Sequence, residues 1–223
     1  MRRHMRGMSD PSDDFDAGRP PPSWDANPPA RPAWKSDGDA TVFENPWLTL
    51  TSHPATAPTG AAATYVVMRP KNLSVGVLPI HSDGTVTLVG QARFALANYS
   101  WEMPEGGAPF NEDPLDGVKR ELAEEAGLAA KSWREVLRME MSNSITDERA
   151  IAWLAWDLSE LDKAPDPTEV IELARVPFMT LMREIDRGAV RDTFTVVTAL
   201  RAYHMARESL IPGWLAHAML TRV

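Results

Sequence analysis

Gly106, five residues, Glu112, seven residues, and then Arg120-Glu121-Leu122-Ala123-Glu124-Glu125-Ala126-Gly127-Leu128 set nine specified positions at fixed spacing over 23 residues. Asp113 is a good N-cap, and Pro114 follows at the first helical position, where its missing N–H costs nothing. Gly127 stands where a helix ends in a left-handed residue. The intervening segment is therefore expected to be a helix of about three to four turns. Leu115, Val118, Leu122 and Ala126 fall on one apolar stripe. Glu121, Glu124 and Glu125, at i, i+3 and i+4, share a second face beside it.

Three carboxylates on one face repel, each like-charge pair costing roughly 0.2–0.5 kcal/mol. Arg120, four residues before Glu124, offsets only part of this. A hard divalent cation would offset the rest. Mg²⁺ takes oxygen ligands and commonly binds through one or two carboxylates together with substrate phosphates. A Glu-rich helix is ordinarily a solvated surface. The flanking Gly106, Glu112, Arg120 and Gly127 argue instead for a site that holds metal and diphosphate together.

The spacing resembles the box of the Nudix family, whose members hydrolyse diphosphates linked to a nucleoside with the help of divalent metal. Outside the box, three segments resemble the ADP-ribose pyrophosphatase branch: Asn72 to Pro79, Val89 to Phe94, and Trp101 to Gly107. Ser142 to Glu148 resembles the loop that carries an additional acidic residue there. The similarity covers about Val42 to Ala202.

The resemblance implies that Glu121 and Glu125 are the main metal ligands, with Glu124 beside them as ligand or base. It implies that the backbone carbonyl of Glu105 completes the metal site, with Gly106 adjoining it on the substrate side. Arg120 would orient the carboxylates, Arg93 would contact substrate phosphate, Glu102 would lie near the site, and Glu148 would serve as general base. The loop reads Asn143-Ser144 where the family often has Pro-Gly, which leaves the choice of Glu148 over Asp147 open. Taken alone, Arg93 also suits a strand-end arginine paired with an acid, Glu148 a solvated charge cluster, and Glu102 a buried structural hydrogen bond.

With 223 residues and 43 % hydrophobic content, the chain can bury one sizeable core plus appendages. The net charge of −8 argues against broad nucleic-acid binding. It is compatible with an anionic nucleotide, because metal and local arginines reverse the field at one site. The absence of cysteine excludes disulfides and zinc-thiolate sites, including the four-cysteine ribbon of one Nudix relative. No apolar run approaches the ~20 residues of a membrane helix. The basic start at Met1 to Arg6 lacks the apolar stretch of a secretory signal. A cytoplasmic enzyme is expected, bound to neither membrane nor nucleic acid.

Residues 1–40, rich in Pro, Asp, Ala and Ser, read as a disordered tail, with Trp24 and Trp34 expected to be exposed. Residues 41–70 suggest two or three strands joined by Pro-containing connections, with Trp47–Thr51 and Thr64–Arg69 the clearest. In the resembling branch such strands pair across a homodimer. The catalytic domain is expected over 71–190. Val75–Ile80 and Val86–Val89 flank Ser82-Asp83-Gly84, a hairpin signal. Strands are expected at Tyr99–Met103, Trp133–Glu140, Ala150–Asp157 and Glu169–Val176, with aromatic residues mainly in the core. Phe178–Arg187 reads as a helix closed by Gly188. Over 191–223, a helix capped by Asp192 and a short one from Trp214 to Leu220 are expected. The whole suggests an α/β protein: a Nudix-type α/β/α sandwich with a mixed sheet, N-terminal strands and C-terminal helices.

These readings converge on Mg²⁺- or Mn²⁺-dependent hydrolysis of a nucleoside diphosphate-sugar. By resemblance the substrate is ADP-ribose, giving AMP and ribose 5-phosphate, with Glu148 or Glu124 taking the proton of the attacking water. Two alternatives remain: hydrolysis of another nucleotide sugar, and a non-catalytic Nudix-fold sensor. The sensor is disfavoured because every box carboxylate is kept.

Overall fold

A computed structural model of the chain describes residues 22–25, 31–161 and 170–221. It divides into two compact units, Met1–Arg69 and Pro70–Val223. In the first, β1 (Lys35–Ser36), β2 (Ala40–Glu44), β3 (Leu48–Thr56) and β4 (Ala62–Pro70) make one sheet, with β3 pairing to the other three. β3 runs past Pro54, whose carbonyl still accepts from Asp37 N–H at 2.9 Å. Proline lacks a donor but not an acceptor, so it did not end the strand as expected. Most of the expected tail lies outside the described residues. Its last part departs from the expectation, because Lys35–Ser36 pairs antiparallel with Ala55–Thr56 and Trp34 meets Tyr65 edge-on at 5.3 Å. Trp24 is exposed.

The second unit holds two sheets. One runs β8 (Glu105–Pro109), β5 (Asn72–Pro79), β10 (Arg149–Glu160), β9 (Leu128–Glu140); only the β5–β10 pairing is parallel. The other runs β11 (Glu172–Pro177), β6 (Thr85–Arg93), β7 (Asn98–Glu102), all antiparallel. The expected hairpin between β5 and β6 is reduced to one bridge, Ile80 to Val86. The turn at Ser82–Gly84 forms, but the strands then part into different sheets, a tertiary choice the local turn signal does not encode.

β10 explains its own apolar sequence. Ala150, Ala152 and Leu154 join the core that contains Phe178, Leu181, Phe194, Met205 and Leu215. Ile151, Trp153 and Ala155 are also buried, and strand geometry turns them to the opposite face. A strand covered on both faces reads as a continuous apolar run. The covering helices are α1 (Pro114–Ala126), packed on β8, β5 and β9, and, toward the other core, α2 (Phe178–Asp186), α3 (Thr193–Arg207) and α4 (Gly213–Leu220). The C-terminal helices thus belong to the same core as the strands rather than forming an appendage. Among the described residues no helix is long and apolar enough to cross a membrane.

α1 forms for the reasons its sequence gives. Asp113 Oδ1 accepts from Leu115 N–H at 2.8 Å, Pro114 opens the helix, and Gly127 closes it at φ 64°. Val118, Leu122 and Ala126 are buried; Leu115 is half-buried. A Cβ in the left-handed region costs about 1–2 kcal/mol. Gly127→Ala should therefore lower stability by about that amount. In urea unfolding this appears as a lower midpoint at unchanged slope; an unchanged midpoint would show that the left-handed turn is not what ends α1.

Candidate active site

The site forms where α1 meets β8. Glu121 and Glu125 are buried, whereas the Glu124 side chain remains 41 % exposed. Gly106 lies directly beneath Glu121: a Cβ there would stand 2.3–2.5 Å from the Glu121 carboxyl atoms. Only glycine allows so close an approach. One residue earlier, Glu105 N–H donates to Glu125 Oε2 at 2.9 Å. Two glutamates of one helix face are thereby fixed against consecutive residues of one strand.

Arg120 holds the rest of the motif. Its guanidinium donates to Glu121 Oε1 at 2.7 Å, Glu124 Oε2 at 3.3 Å, Glu112 Oε2 at 3.3 Å and the Gly107 carbonyl at 3.0 Å. Partial burial alone would disfavour its charge, but the hydrogen bonds it donates to Glu112 and Glu121 outweigh this and raise its pKa. The box residues Glu112, Arg120, Glu121 and Glu124 are therefore one network.

Arg93, at the end of β6, pairs with buried Glu102 on β7. Its Nε donates to both carboxylate oxygens at 3.1 and 3.0 Å, and Nη2 also bonds Oε2. That Nη2 is 3.5 Å from Glu105 Oε1. The hydrogen bond to Glu102 leads the causes that raise the Arg93 pKa. The pair satisfies Glu102, so Glu102 serves here as the partner of Arg93. Arg93 keeps 37 % of its side chain exposed. The Glu105 side chain belongs to the same cluster. It is largely buried, and burial first, then the charges of Asp192 and Glu102, push its pKa well above the usual carboxylate range.

Glu148 precedes β10 and accepts from Ser74 Oγ at 3.0 Å; Asp147, beside it, is exposed. Ser74 stands in register with Ala150 on one side and Gly107 on the other. The glutamate is thus carried to the part of β5 that lies beside Gly107, the Arg120 anchor.

Three contributors escaped the sequence reading. Ser74 orients Glu148. Asp192, expected only as a helix cap, also adds to the negative charge that raises the Glu105 pKa. Thr195 accepts from Met103 N–H at 2.9 Å. No local pattern could have found that last contact, which joins residues 92 positions apart.

A family model for the NUDIX domain matches residues 70–194, more than half of the chain. The chain belongs to the NUDIX domain family. ADP-ribose pyrophosphatase of Bacillus subtilis (strain 168) is 26 % identical over 156 residues, covering 69 % of this chain and 84 % of that protein. ADP-ribose pyrophosphatase of Mycobacterium tuberculosis (strain ATCC 25618 / H37Rv) is 24 % identical over 133 residues, 58 % of this chain and 64 % of that one. The fold is shared with a crystal structure of an ADP compounds hydrolase, at a TM-score of 0.74 and 18 % identity, covering 81 % of this chain and 98 % of that chain. This Nudix pyrophosphohydrolase keeps every charged residue of the motif.

Gly106→Ala tests the close approach. Displacing the Glu121 carboxylate should lower kcat by ~10²-fold, the scale of a roughly 1 Å misplacement. Unfolding should stay cooperative, as followed by circular dichroism. Wild-type kcat in the folded variant would show that Glu121 can move without consequence.

Proposed function

We propose that this chain hydrolyses the diphosphate bond of ADP-ribose in the presence of Mg²⁺ or Mn²⁺, releasing AMP and ribose 5-phosphate. The observation that carries the reaction type is the seating of Glu121 and Glu125 against Gly106 and Glu105. The substrate rests on similarity to the two ADP-ribose pyrophosphatases.

The donors suit the metal. Every candidate ligand is a hard oxygen: the carboxylates of Glu121, Glu124 and Glu125, and the Glu105 carbonyl. Such a set fits Mg²⁺ or Mn²⁺ better than softer ions. The bound cation would supply positive charge to the diphosphate and acidify water. Arg120 orients the carboxylates, and the exposed edge of Arg93 meets a phosphate oxygen. Glu148 or Glu124 takes the proton of the attacking water. The water oxygen bonds to phosphorus, the anhydride bond breaks, and two phosphomonoesters leave. We assign the β1–β4 sheet, whose β2 is exposed along its length, to pairing with a second copy of this enzyme, which we place in the cytoplasm. Light scattering in solution tests that assignment, and a monomer at assay concentration would remove it.

A panel of nucleoside diphosphate derivatives assayed with Mg²⁺ should place ADP-ribose first by kcat/KM. Another nucleotide sugar in first place would overturn the substrate, and tight binding without turnover would indicate a sensor. Chelation with EDTA should abolish activity, and Mg²⁺ or Mn²⁺ should restore it. Glu125→Gln keeps an acceptor for Glu105 N–H while losing the charge. It should cost at least ~10²-fold in kcat, by analogy with losing one charge-stabilising group. Near wild-type activity would remove Glu125 from the site.

A further inference from the structure

The Met103–Gly106 corner carries the backbone of the site, and its support comes from the far side of the sheet. Met103 is fully buried between β7 and β8. Its N–H is bonded by a side chain, Thr195 Oγ1 at 2.9 Å, and Thr195 is itself fully buried. The preceding residue, Phe194, lies over Gly76 together with Met103. A Cβ on Gly76 would stand 2.4 Å from Met103 Cε and 2.8 Å from Phe194 Cε1. Gly76 is the register partner of Glu105. The first turn of α3 is held by its own cap, Asp192 Oδ2 accepting from Thr195 N–H at 2.7 Å.

We infer that Thr195 is a positioning residue for catalysis: its hydroxyl, braced by the capped end of α3, sets the height of the Met103–Gly106 corner against Glu121 and Glu125. The consequence runs through three neighbouring residues. Thr195 fixes Met103 N–H, and the next donor along, Glu105 N–H, fixes Glu125. On the other side of Met103, Glu102 fixes Arg93. A buried N–H left without an acceptor is costly enough to shift its strand. Any shift here moves the Glu105 carbonyl and the Glu125 anchor together. The inference deepens the proposed function and rests on it.

The test compares Thr195→Val, which keeps the shape and removes the acceptor, with Thr195→Ser, which keeps the acceptor. Binding of Mn²⁺ alone is followed by electron paramagnetic resonance of the free ion. Turnover is measured well below the melting temperature of each variant. Thr195→Val should weaken Mn²⁺ binding by about five- to tenfold and lower kcat by ~10-fold, effects of the order expected when a buried donor loses its acceptor. Thr195→Ser should stay within about twofold of wild type on both, as the retained hydrogen bond predicts. If Thr195→Val does not fold, the smaller Thr195→Ala carries the same comparison. Wild-type Mn²⁺ affinity and kcat in a folded variant lacking the hydroxyl, even with a lowered Tm, overturn the inference and leave the proposed function standing. A wild-type protein that neither binds Mn²⁺ nor hydrolyses a diphosphate overturns the proposed function itself.

Discussion

The closeness of α1 to β8 governs this site. Glu121 reaches the strand because Gly106 presents no side chain, and any other residue would place a carbon 2.3–2.5 Å from its carboxyl atoms. That contact sets the height of the helix above the sheet. Glu125 can then accept the Glu105 amide, and Arg120 can reach the Gly107 carbonyl. Val118 and Leu122 hold the opposite side of the helix in the core. An apolar stripe and a glycine gap thus fix where three carboxylates stand.

Charge is distributed as carefully as volume. Arg120 and Arg93 each serve several acids: the first links Glu112, Glu121 and Glu124, the second Glu102 and Glu105. The site still carries more negative than positive groups, and burial of Glu105 makes that surplus expensive. Arg93 and Arg120 offset part of that charge through their ion pairs.

Much of this was visible in the chain. The cap at Asp113, the stop at Gly127, the stripe through Leu122 and the buried run of β10 are local patterns with local causes, and each produced the element it predicts. The hairpin signal at Ser82–Gly84 was also real, yet it led to divergent strands, because a turn dictates reversal of direction and not which sheet receives the second strand. Pro54 misled in the other direction: it marked a break where only a donor was missing.

The sequence by itself determined the family, the helix that bears the carboxylates and the residue types able to hold metal, because these depend on spacing along one element. Tertiary structure alone decided the partners. It joined Arg93 to Glu102 through adjacent strands, brought Ser74 to Glu148, and carried Thr195 to the amide of Met103. Contacts between residues distant along the chain exist only once sheet order and helix docking are settled, and no local periodicity encodes them.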